Sequence, residues 1–479
     1  MSNPNNKYVL TTWNPEDASF WQRTGKAIAN KNLWISIPAL LLAFAIWQVW
    51  SVTVSELPKA GFNYTATQLF WLAALPGLSG GTLRIFYSFM VPIFGGRRWT
   101  ALTTASLLIP AIGIGFAVQN PETPYWVMVA LSLLCGFGGG NFSSSMANIS
   151  FFYPKSEKGK AMGLNAGIGN LGVSVVQLVV PLVIATSVFG WLGGNPQTIT
   201  QANGATSSIW LQNGAFVFVP FIIICTIASW FGMNDIADAK ASFADQAIIF
   251  KRKDNWLMCV LYMGTFGSFI GFAAAFPLLM KVTFPEVNVL NYVFLGPLIS
   301  ALARAGSGGL SDRVGGGRVT LISFIIMMAA LLAALYFVAN PENPIAFGGF
   351  FTSFMVLFFA TGVGNASTFQ MIPAIMSRVI DNTMPNATTE QKRHQTERES
   401  AAITGFTAAI AAYAFFIIPI SFNASKLYYG GPQAALFGFL IFYLICLFIT
   451  WFCYTRKGAI LHIEGQRAKR IQSTGDQNK

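Results

Sequence analysis

Long apolar stretches recur along this chain, separated by short polar segments, and many of them approach or exceed the roughly 20 residues that a helix needs to cross a bilayer. Taken in order they predict twelve spans, at residues 33–54, 68–94, 100–118, 125–153, 161–187, 209–233, 255–280, 289–308, 319–339, 346–376, 401–422 and 434–454. The polar segment 234–254 leaves six spans on each side. The expected fold class is therefore an all-α integral membrane protein, twelve transmembrane helices in two pseudo-symmetric six-helix bundles. Its parts are an N-terminal tail 1–32, a first bundle 33–233, a linker 234–254, a second bundle 255–456 and a C-terminal tail 457–479.

Composition agrees with the pattern. Of the 479 residues, 54% are hydrophobic and only 10% charged, with a mean hydropathy of +0.54, whereas soluble domains carry about 25% charged residues. The net charge of +12 reads as topology. All but five of the 30 lysines and arginines fall in the two tails, the linker and alternate loops, which short cytoplasmic segments favour, so both termini are expected in the cytoplasm. Three of the five, Lys59, Lys281 and Lys426, lie in loops on the other side. A nucleic-acid partner would need a basic stripe on a folded soluble domain, and no segment is large enough to carry one.

The first 32 residues lack an apolar signal-peptide core, so the first span is expected to direct insertion. Cys135, Cys225, Cys259, Cys446 and Cys453 lie within or at the ends of spans without CxxC spacing and read as small core hydrophobes, neither a disulfide set nor a metal site. The chain has no nucleophile–base set or metal-ligand cluster and implies no enzyme, metal or cofactor. Gly167–Gly172, GIGNLG, matches a dinucleotide fingerprint in spelling only, since it lies in a membrane helix without a strand–helix–strand unit.

The two remaining cations, Arg84 and Arg304, lie deep in the second span of each half. The chain repeats around them: RIFYSFMVPIFGGRRWT from Arg84 aligns without a gap on RAGSGGLSDRVGGGRVT from Arg304, pairing Gly95 with Gly315, Gly96 with Gly316, Arg98 with Arg318 and Thr100 with Thr320. At a rise of about 1.5 Å per residue, each arginine stands roughly 20 Å from its following loop, near the middle of the bilayer. A guanidinium there costs about 2.5–3.5 kcal/mol on insertion scales, so such residues mark function. No Asp or Glu falls inside a span, and the nearest, Glu56, Asp254 and Asp312, are read as loop residues. The expected counter-ion is thus a substrate anion, and exchange of anions is favoured over proton coupling, which relies on intramembrane carboxylates or histidines.

The loop GGLSDRVGGGR, Gly308–Arg318, resembles the cytoplasmic loop motif of the major facilitator superfamily and makes Asp312, Arg313 and Arg318 candidate gating residues, whereas the first-half copy at Phe94–Arg98 lacks the acid. Beyond that loop, FWQRTGKAIANKNLWISIPALLLAFAIW, LRIFYSFMVPIFGGRRWT, NFSSSMANISFFYPK, AGIGNLGVSVVQL and LYMGTFGSFIGF resemble bacterial nitrate/nitrite porters of the NarK type. The resemblance implies a rocker-switch transporter of the bacterial plasma membrane, working as a monomer, that clamps nitrate or nitrite between Arg84 and Arg304. It implies Phe142, Tyr262 and Phe266 as aromatic contacts and Asn170 as a hydrogen-bonding neighbour. Gly163, Gly167, Gly169 and Gly172 are read as packing positions of the glycine signature.

Planar guanidinium forks suit the in-plane oxygens of a trigonal anion. The chain departs from the family at Gly405–Phe416, GFTAAIAAYAFF, where alanines and Tyr413 replace glycines and a small polar residue of a second signature. Segment 377–400 is expected to be a solvated connector. Alternative readings are a nitrate/proton symporter and, in another class, a membrane anion sensor that does not transport.

Overall fold

The computed structural model describes residues 7–200, 206–237 and 247–461. Residues 1–6, 201–205, the linker positions 238–246 and the tail from 462 onward lie outside this description. Among the described residues, twelve helices are long and apolar enough to span a membrane. They are α1 Ala18–Glu56, α2 Ala66–Tyr87, α3 Gly96–Ala117, α4 Tyr125–Phe152, α5 Lys155–Ile184, α6 Asn213–Gly232, α7 Lys253–Thr283, α8 Val289–Gly306, α9 Gly316–Ala339, α10 Ala346–Thr383, α11 Thr389–Tyr429 and α12 Gln433–Thr455. Two small ribbons accompany them: β1 Val9–Leu10 runs parallel to β4 Asp235–Ile236, and β2 Gln197–Thr200 runs antiparallel to β3 Thr206–Ile209.

The helices pack in two compact units that are not the two sequence halves. The first contains Met1–Ala241 together with Ile270–Leu298 and Ala412–Gly431, and the second contains Ser242–Phe269, Ile299–Ala411 and Pro432–Lys479.

Within the first unit, prolines make openings that neighbouring helices fill. Pro277 in α7 has no N–H, so the carbonyl of Ala273 loses its in-helix donor. Gln177 of α5 replaces it, donating from Nε2 at 2.8 Å, and Gln48 of α1 donates to the Ile270 carbonyl one turn away at 3.1 Å. Pro76 does the same to Leu72 in α2, whose carbonyl accepts from Ser132 of α4 at 2.7 Å. Small residues bring helix backbones together: a Cβ added at Gly138 would meet the Ala43 carbonyl, and one at Gly172 the Leu41 carbonyl.

Within the second unit, α8 and α10 touch where a Cβ on Gly362 would meet the carbonyl of Ser300, and Thr320 of α9 bonds Ser367 of α10 at 2.7 Å. The segment 377–400, expected as a solvated connector, is largely exposed but mostly helical, and its end at Glu399 and Ser400 is buried. α10 continues to Thr383 and α11 begins at Thr389, and Glu399, 1% exposed, accepts from Arg252 Nε at 2.8 Å and Nη2 at 2.9 Å.

Two other acids expected in loops also lie in helices. Glu56 ends α1 and binds Lys59 at 2.7 Å, while Asp254 sits in the first turn of α7 and accepts from Tyr454 at 3.0 Å.

Candidate functional site

α2 stops at Tyr87, a short helix covers Met90–Phe94, and α3 starts at Gly96. α8 stops at Gly306, a short helix covers Gly308–Val314, and α9 starts at Gly316. Between short helix and next span stand Gly95 at φ +86° and Gly315 at φ +96°, the two glycines that the sequence repeat pairs. Each short helix ends on backbone that a side chain bearing a Cβ adopts only under strain. The break also leaves Arg84 and Arg304 in the last turn of their helices, where aligned carbonyl dipoles favour a cation.

In the first unit Arg84 is fully buried. Its Nε donates to the Gly139 carbonyl at 3.0 Å, and its guanidinium carbon lies over the rings of Trp47 at 5.0 Å and Phe142 at 4.8 Å. The glycines of α4 permit this closeness, since a Cβ at Gly139 would meet the Trp47 indole and the backbone of Gly80. Trp47 is fixed in turn by its Nε1, which donates to the Pro76 carbonyl at 2.7 Å. Asn170 is 1% exposed, with both side-chain polar atoms lacking a hydrogen-bond partner among the described residues.

The signature glycines divide. Gly169 and Gly172 lie against Leu40 and Leu41 of α1, whereas a Cβ at Gly163 or Gly167 would meet nothing within 4 Å, so close packing is not seen at those two positions.

In the second unit Arg304 is half-buried, and its Nη1 is buried with no hydrogen-bond partner among the described residues. Its guanidinium carbon lies 5.9 Å from the Phe369 ring centre, Phe369 is 5.6 Å from Tyr262, and Tyr262 stacks on Phe266 at 5.3 Å with 12° between the planes. A π-helical turn, Met263–Gly267, follows Tyr262 and contains Phe266, and both rings are fully buried. Such turns concentrate at functional sites because they redirect side chains without ending a helix. Each unit therefore places one of the two repeat-paired arginines beside aromatic faces.

The Major Facilitator Superfamily matches residues 36–389 of the sequence. The chain belongs to that family.

Its relatives cover nearly its whole length. The nitrate/nitrite transporter NarU of Escherichia coli (strain K12) is 50% identical over 456 residues, 95% of this chain and 97% of that one. NarU of Salmonella typhimurium is 49% identical over 455 residues, 94% and 97% of the two chains. A probable nitrate/nitrite antiporter, NarK2 of Thermus thermophilus, is 43% identical over 455 residues, again 94% and 97%. Among solved structures, a D-xylose-proton symporter shares the fold with a TM-score of 0.63 at 14% identity, over 88% of this chain and 97% of that one.

Three functional candidates escaped the sequence reading. Trp47 and Phe369 are single aromatics among many and become visible only by their place beside an arginine. The third is Asp235, which supplies the acid missing from the loop at Phe94–Arg98. It accepts from the Arg97 backbone N–H at 2.8 Å and from Arg97 Nε at 3.2 Å. The Arg97 guanidinium also lies over Tyr8 and Trp230 at 4.7 and 5.0 Å, which ties β1 and β4 to the start of α3.

Gly95 admits that carboxylate, since a Cβ there would collide with it. In the second-half loop Arg313 and Arg318 are exposed. The Asp312 backbone belongs to the short helix Gly308–Val314, and its side chain lies outside the described residues.

Proposed function

We propose that this chain transports nitrate and nitrite across the bacterial plasma membrane by exchanging one anion for the other, with both termini in the cytoplasm. The observation that carries this reading is the pair of membrane-helix arginines in duplicated settings, Arg84 over Trp47 and Phe142 and Arg304 beside Phe369. The near full-length identity to transporters named for nitrate and nitrite supplies the substrate. Arg84 and Arg304 each offer one guanidinium to the bound anion. Tyr262 and Phe266 present stacked rings to the anion's flat face, and Asn170 holds two amide atoms ready for a polar partner. Asp312, Arg313 and Arg318 act as gating residues in the loop after α8.

Exchange follows from electrostatics. An emptied site leaves two cations in a low-dielectric setting, where returning without an anion is costly. The anion neutralises them, and alternating access proceeds with either anion aboard.

Counterflow in reconstituted vesicles tests the reading. Labelled nitrate should enter only when nitrite or nitrate is present inside, and an imposed pH gradient should leave the rate unchanged. Acceleration by the gradient with empty vesicles would establish proton symport instead, and no labelled flux under any condition would point to a sensor.

A further inference from the structure

Tyr413 stands where the glycine pattern of the eleventh span is broken, and the structure gives it a specific partner. Its backbone interrupts α11 between Ala412 and Ala414, and its ring covers Gly81 of α2, whose added Cβ would lie 3.2 Å from it. Gly81 and Arg84 are three residues apart and so share a helix face. Tyr413 thereby covers the turn of α2 beside Arg84, on the side away from the loop Gly95–Arg98. Its hydroxyl lies 2.8 Å from Thr82 Oγ1. Thr82 has one hydroxyl hydrogen, which it donates to the Leu78 carbonyl at 2.9 Å. The bond to Tyr413 must therefore be donated by the tyrosine.

Neighbouring contacts extend this seam within the same unit. Phe415 meets Trp47 edge-on, with centroids 4.8 Å apart, and a Cβ on Gly77 would run into the backbone at Phe415 and Phe416. Trp47 is the same indole that lies under the Arg84 guanidinium. The seam thus joins α11 to α2 while touching the residue that orients the arginine.

We propose that the Tyr413–Thr82 hydroxyl pair is a gating latch on the outer side of Arg84: it closes the path from outside, breaks when α11 swings away from α2, and sets the balance between the two states. This rests on the transport reading above for its direction, outer against inner. The pair is suited to the task. It is a single neutral hydrogen bond between two flexible hydroxyls, strong enough to bias an equilibrium and weak enough to be remade in every cycle. A Cβ-bearing aromatic in place of a small residue also makes the closed state depend on one bond as well as on shape.

The test uses the full-length chain with Cys453→Ser, which leaves only buried native cysteines, and spin labels on cysteines replacing Asn120, exposed beyond the end of α3, and Tyr429, the exposed last residue of α11. Distance distributions report the ratio of open to closed outer ends. Tyr413→Phe keeps the ring and removes the donor, and it should raise that ratio roughly five-fold, as one net hydrogen bond would. Thr82→Val should match it, the double variant should add nothing, and Thr82→Ser should restore the parent ratio.

Unchanged distributions in both single variants, or additive shifts in the double, would overturn the latch. Nitrate counterflow on the same preparations keeps the two readings apart. A parent chain that shows the distance shifts but no counterflow keeps its latch and loses the transport reading, whereas counterflow with unmoved distances does the reverse.

Discussion

A guanidinium over two aromatic faces, with Nε committed to a carbonyl, has few orientations left, and this is the value of Trp47, Phe142 and Gly139 to Arg84. Lysine would keep the charge but lose the planar fork and the directed Nε bond. Arg84→Lys and Arg304→Lys are each expected to reduce nitrate counterflow to background, and near-normal uptake in either would remove the paired-arginine mechanism. Trp47→Phe should be milder than Trp47→Leu, because a smaller ring still presents a π face while the bond to the Pro76 carbonyl is lost in both. The measurement is the apparent nitrate affinity in counterflow, with a loss of roughly five-fold for phenylalanine if a single net hydrogen bond dominates and a larger one for leucine.

At the scale of elements, the same glycine turn is used twice with different surroundings. Gly95 and Gly315 both have positive φ with extended ψ, so alanine at either costs on the order of 1–3 kcal/mol in backbone strain. At Gly95 the new methyl would also collide with the Asp235 carboxylate that holds Arg97, whereas at Gly315 it would meet nothing within 4 Å. Gly95→Ala should therefore lower the thermal unfolding midpoint more than Gly315→Ala, and equal shifts would show that Asp235 yields without cost.

Gln177→Leu offers a second test at this scale. It strands the Ala273 carbonyl that Pro277 already deprives of its helical donor, with an expected cost of about 1–3 kcal/mol for an unsatisfied buried acceptor.

At the largest scale, a buried ion pair, Arg252 with Glu399, joins the segment before α7 to α11. The hydrogen bond from Arg252 to Glu399 holds the Arg252 pKa above its usual value. A basic group raised in this way contributes its full stabilisation below the unfolded pKa and loses it only as pH rises through the folded one, well beyond the physiological range. This pair should contribute equally at pH 7 and pH 9. Arg252→Gln should lower the unfolding midpoint by the same amount at both, because Glu399 is then left buried without its partner cation. A variant whose deficit shrinks markedly at the higher pH would contradict this assignment.

Periodicity, charge and repetition were enough to determine twelve helices of spanning length, one arginine in the second span of each half, and the register that pairs Gly95 with Gly315. Each of these follows from local rules, since length, polarity and spelling act within one segment at a time. Only the tertiary structure decided the surroundings: Trp47 at Arg84, Phe369 at Arg304, Asp235 in the acid-less loop, Gln177 on the carbonyl freed by Pro277, and a buried ion pair where 377–400 spelled a solvated connector. These partners are distant in sequence and ordinary in type. What selects them is which buried donor, acceptor or charge remains unsatisfied once the helices have packed, and that is a property of the assembled fold.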